Sequence, residues 1–249
     1  MMYCPVPVPE QEHRQEGATT VQQGPADRED VDWGHVRGQL LDLSLDIYHG
    51  APNFPTDPKP GVIPHSTTST LGYNMTQLVI ATHQATHMDA PYHFLDEGLT
   101  VERVSLSACM GPAILADLSH KGPRQPIDIA DLAPLAARIV PGARLILRTG
   151  WDSVLPEQRY FTDFPFVTLD LAKWLVGRGV TLLGMDMPTP NPTDWKEVHL
   201  ILLGAGMVIV EGLCHLERVG AGPFWFCALP LRIRGRDGSP VRAIGVVAR

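Results

Sequence analysis

Apolar and polar positions alternate from Leu41 to Ile47, the period-two signature of a strand with one buried face, and this predicts the first strand of the folded body. The run Ala51-Pro52-Asn53-Phe54-Pro55-Thr56-Asp57-Pro58 sustains neither helical nor strand periodicity, because its prolines fix φ and remove donors, and it reads as a loop. Met75 to Thr82, Ala113 to Leu118 and Arg144 to Arg148 predict further strands, and Leu132 to Ile139 a short helix. Thr168 is placed to cap a helix running to about Val176, stopped by Gly177 and Gly179 before a buried strand from Val180 to Leu183 that ends at Asp186. Asp194 and Glu197 have capping-box spacing for a helix through His199 to Leu203. Gly204-Ala205-Gly206 ends it before a strand from Met207 to Val210, with Glu211 at the strand end. Leu229 to Ile233 and Val241 to Val247 flank Asp237-Gly238, a pair suited to a hairpin turn. Strands alternating with helices, with hairpins mixed in, indicate one α/β domain without internal repeats.

Composition sharpens the boundary of that domain. Residues 1–39 contain no Leu, Ile or Phe, open on Pro5-Val6-Pro7-Val8-Pro9 and carry three Arg against seven acids. Such a segment has little to bury and is expected to be a flexible tail, or an arm docked on a neighbouring subunit, ahead of a folded domain spanning 40–249. The whole chain of 249 residues carries 20 basic and 27 acidic side chains, a net charge of -7, which argues against nucleic acid as a partner. Cys4, Cys109, Cys214 and Cys227 form no Cys-x-x-Cys pair and read as core thiols of a reducing compartment. No apolar run approaches the roughly 20 residues that span a bilayer. A cytoplasmic protein acting on a small molecule, with no membrane partner, is the expectation.

The candidate chemistry is concentrated in His83-Gln84-Ala85-Thr86-His87-Met88-Asp89-Ala90-Pro91-Tyr92-His93-Phe94. Imidazole and carboxylate without thiolate are donors suited to Zn²⁺ or Mn²⁺, and His-x3-His followed by Asp brings three of them to one ion if the chain bends after His83. Pro91 biases Ala90 toward extended geometry, so His93 is expected on a separate turn, facing the metal position without binding it. A solvated polar loop or hydrogen-bonded core histidines is the plainer alternative for any one of these residues. Phe54, an aromatic without a core pattern around it, reads equally as a loop anchor or as a wall of a substrate pocket. No Gly-x-Ser-x-Gly elbow, phosphate-binding Gly-rich loop or Gly-x-Gly-x-x-Gly after a strand is present.

The segment from His83 to Phe94 resembles the HxGTHxDxPxHF signature of the cyclase family of metal-dependent hydrolases, which includes bacterial kynurenine formamidases, isatin hydrolases, some γ-lactamases and polyketide cyclases. The similarity spans about residues 41–247 and takes in Asp42-Leu43-Ser44, Arg148-Thr149-Gly150-Trp151, Gly184-Met185-Asp186, Val198-His199, Glu211-Gly212-Leu213 and the segment from Asp237 to Ala243. The resemblance implies a swivelling β/β/α domain that assembles into homodimers or homotetramers. It implies a first metal held by His83, His87 and Asp89, a second held by His199 and Glu211 with Asp89 bridging, and His93 as general acid or base. This chain departs from the pattern at Ala85, where the family has Gly, at Met187-Pro188-Thr189-Pro190, and at His215, where the family often has Asn.

One or two divalent ions per subunit and hydrolysis of an amide carbonyl, in an aryl formamide or a cyclic amide such as isatin or a lactam, are therefore the leading expectations. The alternatives are a cyclase or dehydratase of secondary metabolism working by enolisation, and a metal- or ligand-binding protein without turnover. The additional base at His93 weighs against the last.

Overall fold

Leu145, Ile146 and Leu147 are all fully buried, which a strand achieves only when both of its faces are covered. The computed structural model describes residues 30–32 and 37–248, and its strands in chain order are β1 (Asp30–Asp32), β2 (Arg37–Asp42), β3 (Gly61–Ser66), β4 (Met75–Val79), β5 (His87–Asp89), β6 (Met110–Asp117), β7 (Pro126–Ile127), β8 (Arg144–Arg148), β9 (Phe166–Val167), β10 (Leu182–Met185), β11 (Val208–Glu211), β12 (Phe224–Cys227), β13 (Gly238–Pro240) and β14 (Ile244–Val247). The α-helices are α1 (Thr68–Leu71), α2 (Leu106–Cys109), α3 (Leu169–Gly177) and α4 (Trp195–Gly204). Ten strands form one mixed sheet in the order β1-β2-β14-β12-β6-β8-β10-β11-β5-β13. Its centre, β6 to β11, is parallel, and antiparallel strands extend it on both sides.

The period-two geometry of the central strands divides the core. Leu145, Leu147, Leu183, Met185 and Ile209 pack against Leu171 and Leu175 of α3 and Val198 and Leu202 of α4. The opposite face carries Ile146, Leu182, Val208 and Val210 against Leu41, Leu43, Met88, Phe224 and Phe226. Mixed sheet, covering helices and a single contiguous architecture agree with the expected α/β class.

Several local expectations shift for physical reasons. The first strand begins earlier, at Arg37, because Gln39 to Asp42 pair with Val247 to Ile244, and it ends at Asp42. The tail boundary at Gln39 therefore falls inside β2, and Asp30–Asp32 pairs with Arg37–Gln39; the remainder of the expected tail, residues 1–29 and 33–36, lies outside the described residues. The segment expected as a helix from Leu132 is a 3-10 turn over Ile129–Leu135, where Pro134 withholds a donor. Thr168 caps α3 as predicted, accepting from the Leu171 amide at 3.2 Å. At α4 the Asp194 side chain makes no cap; Asn191 Oδ1 instead accepts from the Thr193 and Asp194 amides at 2.8 and 2.7 Å.

Asp237-Gly238 is not a hairpin turn. Gly238 opens β13, which lies antiparallel to β5 with Gly238 opposite Asp89. Glycine is needed there for close approach, since a Cβ would stand 2.6 Å from the Met88 carbonyl oxygen and 2.8 Å from the His83 ring. The strand expected over Met75 to Thr82 stops at Val79 and pairs with β3 in a separate two-stranded ribbon. Every residue of β4 is exposed, so neither of its faces is covered among the described residues.

The sheet's central strand ends are fastened by Asp186, which is fully buried after β10. Its carboxylate accepts from the Thr149 hydroxyl at 2.5 Å, the Thr149 amide at 2.8 Å and the Gly150 amide at 2.7 Å. Burial pushes this carboxyl up to about 7, against those hydrogen bonds. The folded state thus holds a proton that the unfolded chain releases near pH 4, and this group's contribution to stability falls as pH rises from about 4 to about 7. Asp186→Asn is expected to flatten that part of the pH profile. Asp186→Ala should cost about 2–5 kcal/mol by orphaning buried amides. Denaturant melts of the two variants between pH 4 and 8 check both outcomes.

Candidate metal centre

The pairing of β5 with β11 sets His87 directly opposite Glu211, so the two side chains share one face of the sheet, with Asp89 two residues further along the same face. The register is held by a stitched bend ahead of β5. Thr86 Oγ1 donates to the Gly212 carbonyl at 2.5 Å and accepts the Leu45 amide at 2.8 Å. Ala85, in the position where the resemblance expects Gly, adopts φ 54, so its Cβ sits in the left-handed region that glycine enters freely. The fold tolerates the departure, and the bend after His83 required for ligand convergence is present. From the other side, α4 presents His199, whose Nδ1 donates to the Trp195 carbonyl at 2.6 Å.

Four donor residues face one another at this junction. His87 Nε2 lies 3.3 Å from Glu211 Oε2 and 3.5 Å from Asp89 Oδ1; His199 Nε2 lies 3.5 Å from Glu211 Oε1 and 3.6 Å from Asp89 Oδ2. Ligands about 2.1 Å from a tetrahedrally coordinated ion are separated by about 3.4 Å, so the spacing is that of a metal cage and too long for good hydrogen bonds. His87 Nδ1 donates to the Ala85 carbonyl at 3.0 Å, and with His199 Nδ1 engaged on Trp195 both rings turn Nε2, the nitrogen that would bind a metal, inward. Asp89 Oδ2 and Glu211 Oε1 are buried and accept no hydrogen bond. Asp89 is 1% and Glu211 4% exposed. Two buried carboxylates with orphaned oxygens demand a compensating cation, and the donor set fits a divalent one.

His83 stands beside the cage. Its Nδ1 is 2.7 Å from Asp89 Oδ1 and its Nε2 2.6 Å from Asp237 Oδ2. Burial lowers the proton affinity of this ring, but the two carboxylates outweigh it and raise the pKa to about 10. His199 is likewise raised to about 10, burial being outweighed by Asp89 and Glu211. Asp89 is pushed up by burial yet held well below the carboxylate range by His83 and His199. The centre therefore carries a strongly negative field that favours positive charge. His93 sits on a 3-10 turn over Pro91–His93, past the cage as Pro91 predicts, with Ala90 extended. It stacks on His83 at 3.9 Å between ring centroids. Burial lowers its pKa, with His83 and His199 adding to that effect against Asp89, so its imidazole is neutral near pH 7.

His83, His87, His93, His199 and Glu211 line one cavity of about 1010 Å³, which Phe54 also lines, and Asp89 is buried behind them. Phe54 packs edge-on against Phe161 at 5.7 Å, so it is a pocket wall and an anchored loop residue at once. Sequence reasoning missed Asp237, taken as a turn, and the walls Tyr160, Phe161 and Trp195, whose apolar character reads as core until the tertiary fold turns them toward the cavity. The unusual Pro188-Thr189 pair lines the same space. His215 does not: it adopts φ 57, a conformation that Asn also enters readily, which accounts for the exchange of these two residue types.

The Cyclase family model matches residues 41–192. The chain belongs to that family. It is 37% identical over 175 residues to the kynurenine formamidase of Geobacillus thermodenitrificans, covering 68% of this chain and 78% of the relative. A "predicted metal-dependent hydrolase" from Bacillus stearothermophilus superposes with a TM-score of 0.70 at 28% identity, covering 83% of this chain and 97% of that one. Isatin hydrolase A from Ralstonia solanacearum shares the fold, with a TM-score of 0.75 at 21% identity over 86% of this chain and 93% of that one. Of the four facing residues, His87 and Asp89 lie in the signature segment, and His199 and Glu211 lie in the later stretches that the wider resemblance takes in.

Asp89 contributes both of its oxygens to the cage. Asp89→Asn is expected to remove most of the bound divalent ion, because a neutral amide offers one weak donor and leaves the neighbouring imidazoles uncompensated. Metal stoichiometry of the purified variant, measured beside its melting temperature, checks this: metal should be lost with the fold retained.

Proposed function

We propose that this chain hydrolyses the amide bond of an aryl formamide, N-formylkynurenine being the leading substrate, with a cyclic amide as the second substrate class. The observation that carries the reading is the box of four facing donors, His87, Asp89, His199 and Glu211, on the floor of a cavity with aromatic walls. The kynurenine formamidase relatives favour amide hydrolysis over the enolising cyclase or dehydratase alternative. A non-catalytic binding protein would have no use for His93 beside the donors.

The four residues would hold one divalent ion, Zn²⁺ or Mn²⁺ by their chemistry, and His83, whose Nδ1 faces Asp89 Oδ1, would serve a second. When bound, the cation supplies Lewis-acid polarisation of the amide carbonyl and acidifies water toward neutral pH. The chain's own side chains do the rest. Phe54, Tyr160, Phe161 and Trp195 bury the aromatic part of the substrate and exclude water from it. His93, neutral near pH 7, takes a proton from the attacking water and returns it to the departing nitrogen. One water is consumed, the C–N bond breaks, and an amine and a carboxylic acid, formate in the formamide case, leave. Chelation is expected to abolish turnover and Zn²⁺ or Mn²⁺ to restore it, whereas His93→Asn should keep the metal and lower kcat by about 10²- to 10⁴-fold. Turnover by metal-free protein, or loss of metal in the His93 variant, would contradict these roles.

The site is proposed to work in a homo-oligomer, a dimer or a tetramer. The β3–β4 ribbon exposes Ile63, Leu71, Tyr73, Met75, Leu78 and Val79, and no Asp, Glu, Lys or Arg occurs between Lys59 and Asp89. A lone two-stranded ribbon is marginal in water, and an uncharged apolar one is suited to burial against a second copy of the chain. Free buried thiols at Cys109 and Cys214 accord with a cytoplasmic location, and no helix among the described residues is long and apolar enough to cross a membrane. Leu78→Asp should shift the protein to monomer in sedimentation; an unchanged sedimentation coefficient would locate the interface elsewhere.

A further inference from the structure

We propose that Asp237 is a positioning residue that fixes the ring of His83 for metal binding and couples it to His93. The inference rests on the metal-dependent reading above and adds a residue to it. Asp237 Oδ2 takes three approaches at once: His83 Nε2 at 2.6 Å, the Thr82 hydroxyl donating at 2.9 Å, and His93 Nδ1 at 4.0 Å. With Nε2–H committed to Asp237, His83 turns Nδ1 to the Asp89 carboxylate, 2.7 Å away, which is the face where the cage lies. A carboxylate on the far nitrogen of a ligand histidine sets its tautomer and orientation and raises its basicity.

The placement is built by the backbone. The Asp237 carbonyl accepts the Ala90 amide at 2.9 Å and the Arg236 carbonyl accepts the Val101 amide at 2.8 Å, so the segment is fastened on both sides of the turn that carries His93. Gly238 lets β13 run against the His83 ring, where any Cβ would collide. Asp237 is thus held just ahead of β13, beside the two histidines that differ in role, and the stacking of His83 on His93 keeps their rings together. A surface aspartate in a hairpin turn would show none of these contacts.

The test uses the full chain loaded with Zn²⁺ or Co²⁺. Asp237→Asn is expected to weaken metal affinity by about 10- to 100-fold in chelator competition, the range for a lost outer carboxylate. It should also change the visible spectrum of the Co²⁺ form, and it should lower kcat more than it raises KM. Asp237→Glu, which keeps the charge, should recover part of the affinity. Thr82→Val, which removes the hydroxyl that orients the carboxylate, provides a milder second variant with an expected loss of a few-fold in affinity. Equal affinity and spectrum in wild type and Asp237→Asn would overturn the positioning role while leaving the metal centre intact. If Asp237→Asn failed to fold, unchanged affinity in Thr82→Val would likewise overturn it. Absence of any divalent-ion binding by wild type would instead overturn the metal reading itself.

Discussion

Two carboxylates, Asp89 and Glu211, are buried side by side where β5 meets β11, and their mutual repulsion is the constraint that organises this end of the molecule. Two negative charges in a low-dielectric setting are tolerated only with positive charge between or around them. The chain surrounds them with four histidines, two of which lock their Nδ1 hydrogens onto backbone carbonyls and so point Nε2 inward. Protonated imidazoles partly answer the repulsion, but the orphaned oxygens of Asp89 and Glu211 show that hydrogen bonding does not complete the answer. A divalent cation does.

The rest of the fold supplies rigidity for that arrangement. The doubly covered parallel centre places β11 without freedom to slip, because a shift of one residue would turn Val208 and Val210 away from one core and Ile209 away from the other. Asp186 clasps the turn after β8 to the end of β10, and the Thr86 hydroxyl ties the bend before β5 to the strand end at Gly212. The proline-rich loop, the 3-10 turn carrying Tyr160 and Phe161, the segment after β10 and the first turn of α4 contribute the cavity walls. Specificity thus resides on segments whose sequence can vary without disturbing the donors, consistent with Pro188 and Thr189 being an unusual filling of one of those walls.

Much of this was legible in the chain. The cluster from His83 to His93 declares its donors at short spacing, and Pro91 alone suffices to place His93 on a separate turn. His199 and Glu211 could be joined to it only through the family resemblance, since nothing local marks a helix histidine or a strand-end glutamate as a ligand. Asp237 escaped because Asp-Gly has the same local signature in a tight turn as in a strand whose backbone must pass close to another side chain. Of the ribbon, β4 is legible as a strand, while β3 escaped because Pro64 and the hydroxyl residues that follow blur its period. The α4 cap was assigned to Asp194 from spacing, while in the fold Asn191, three residues earlier, accepts from the Thr193 and Asp194 amides just ahead of the helix.

The central claim is that two imidazoles and two carboxylates converge on one divalent ion. X-ray absorption at the zinc edge of Zn²⁺-loaded protein tests it most directly. The account predicts nitrogen and oxygen neighbours at about 2.0–2.1 Å, with multiple scattering from two or more imidazole rings and no sulfur shell. A six-oxygen shell without imidazole scattering, or a sulfur neighbour near 2.3 Å, would contradict it.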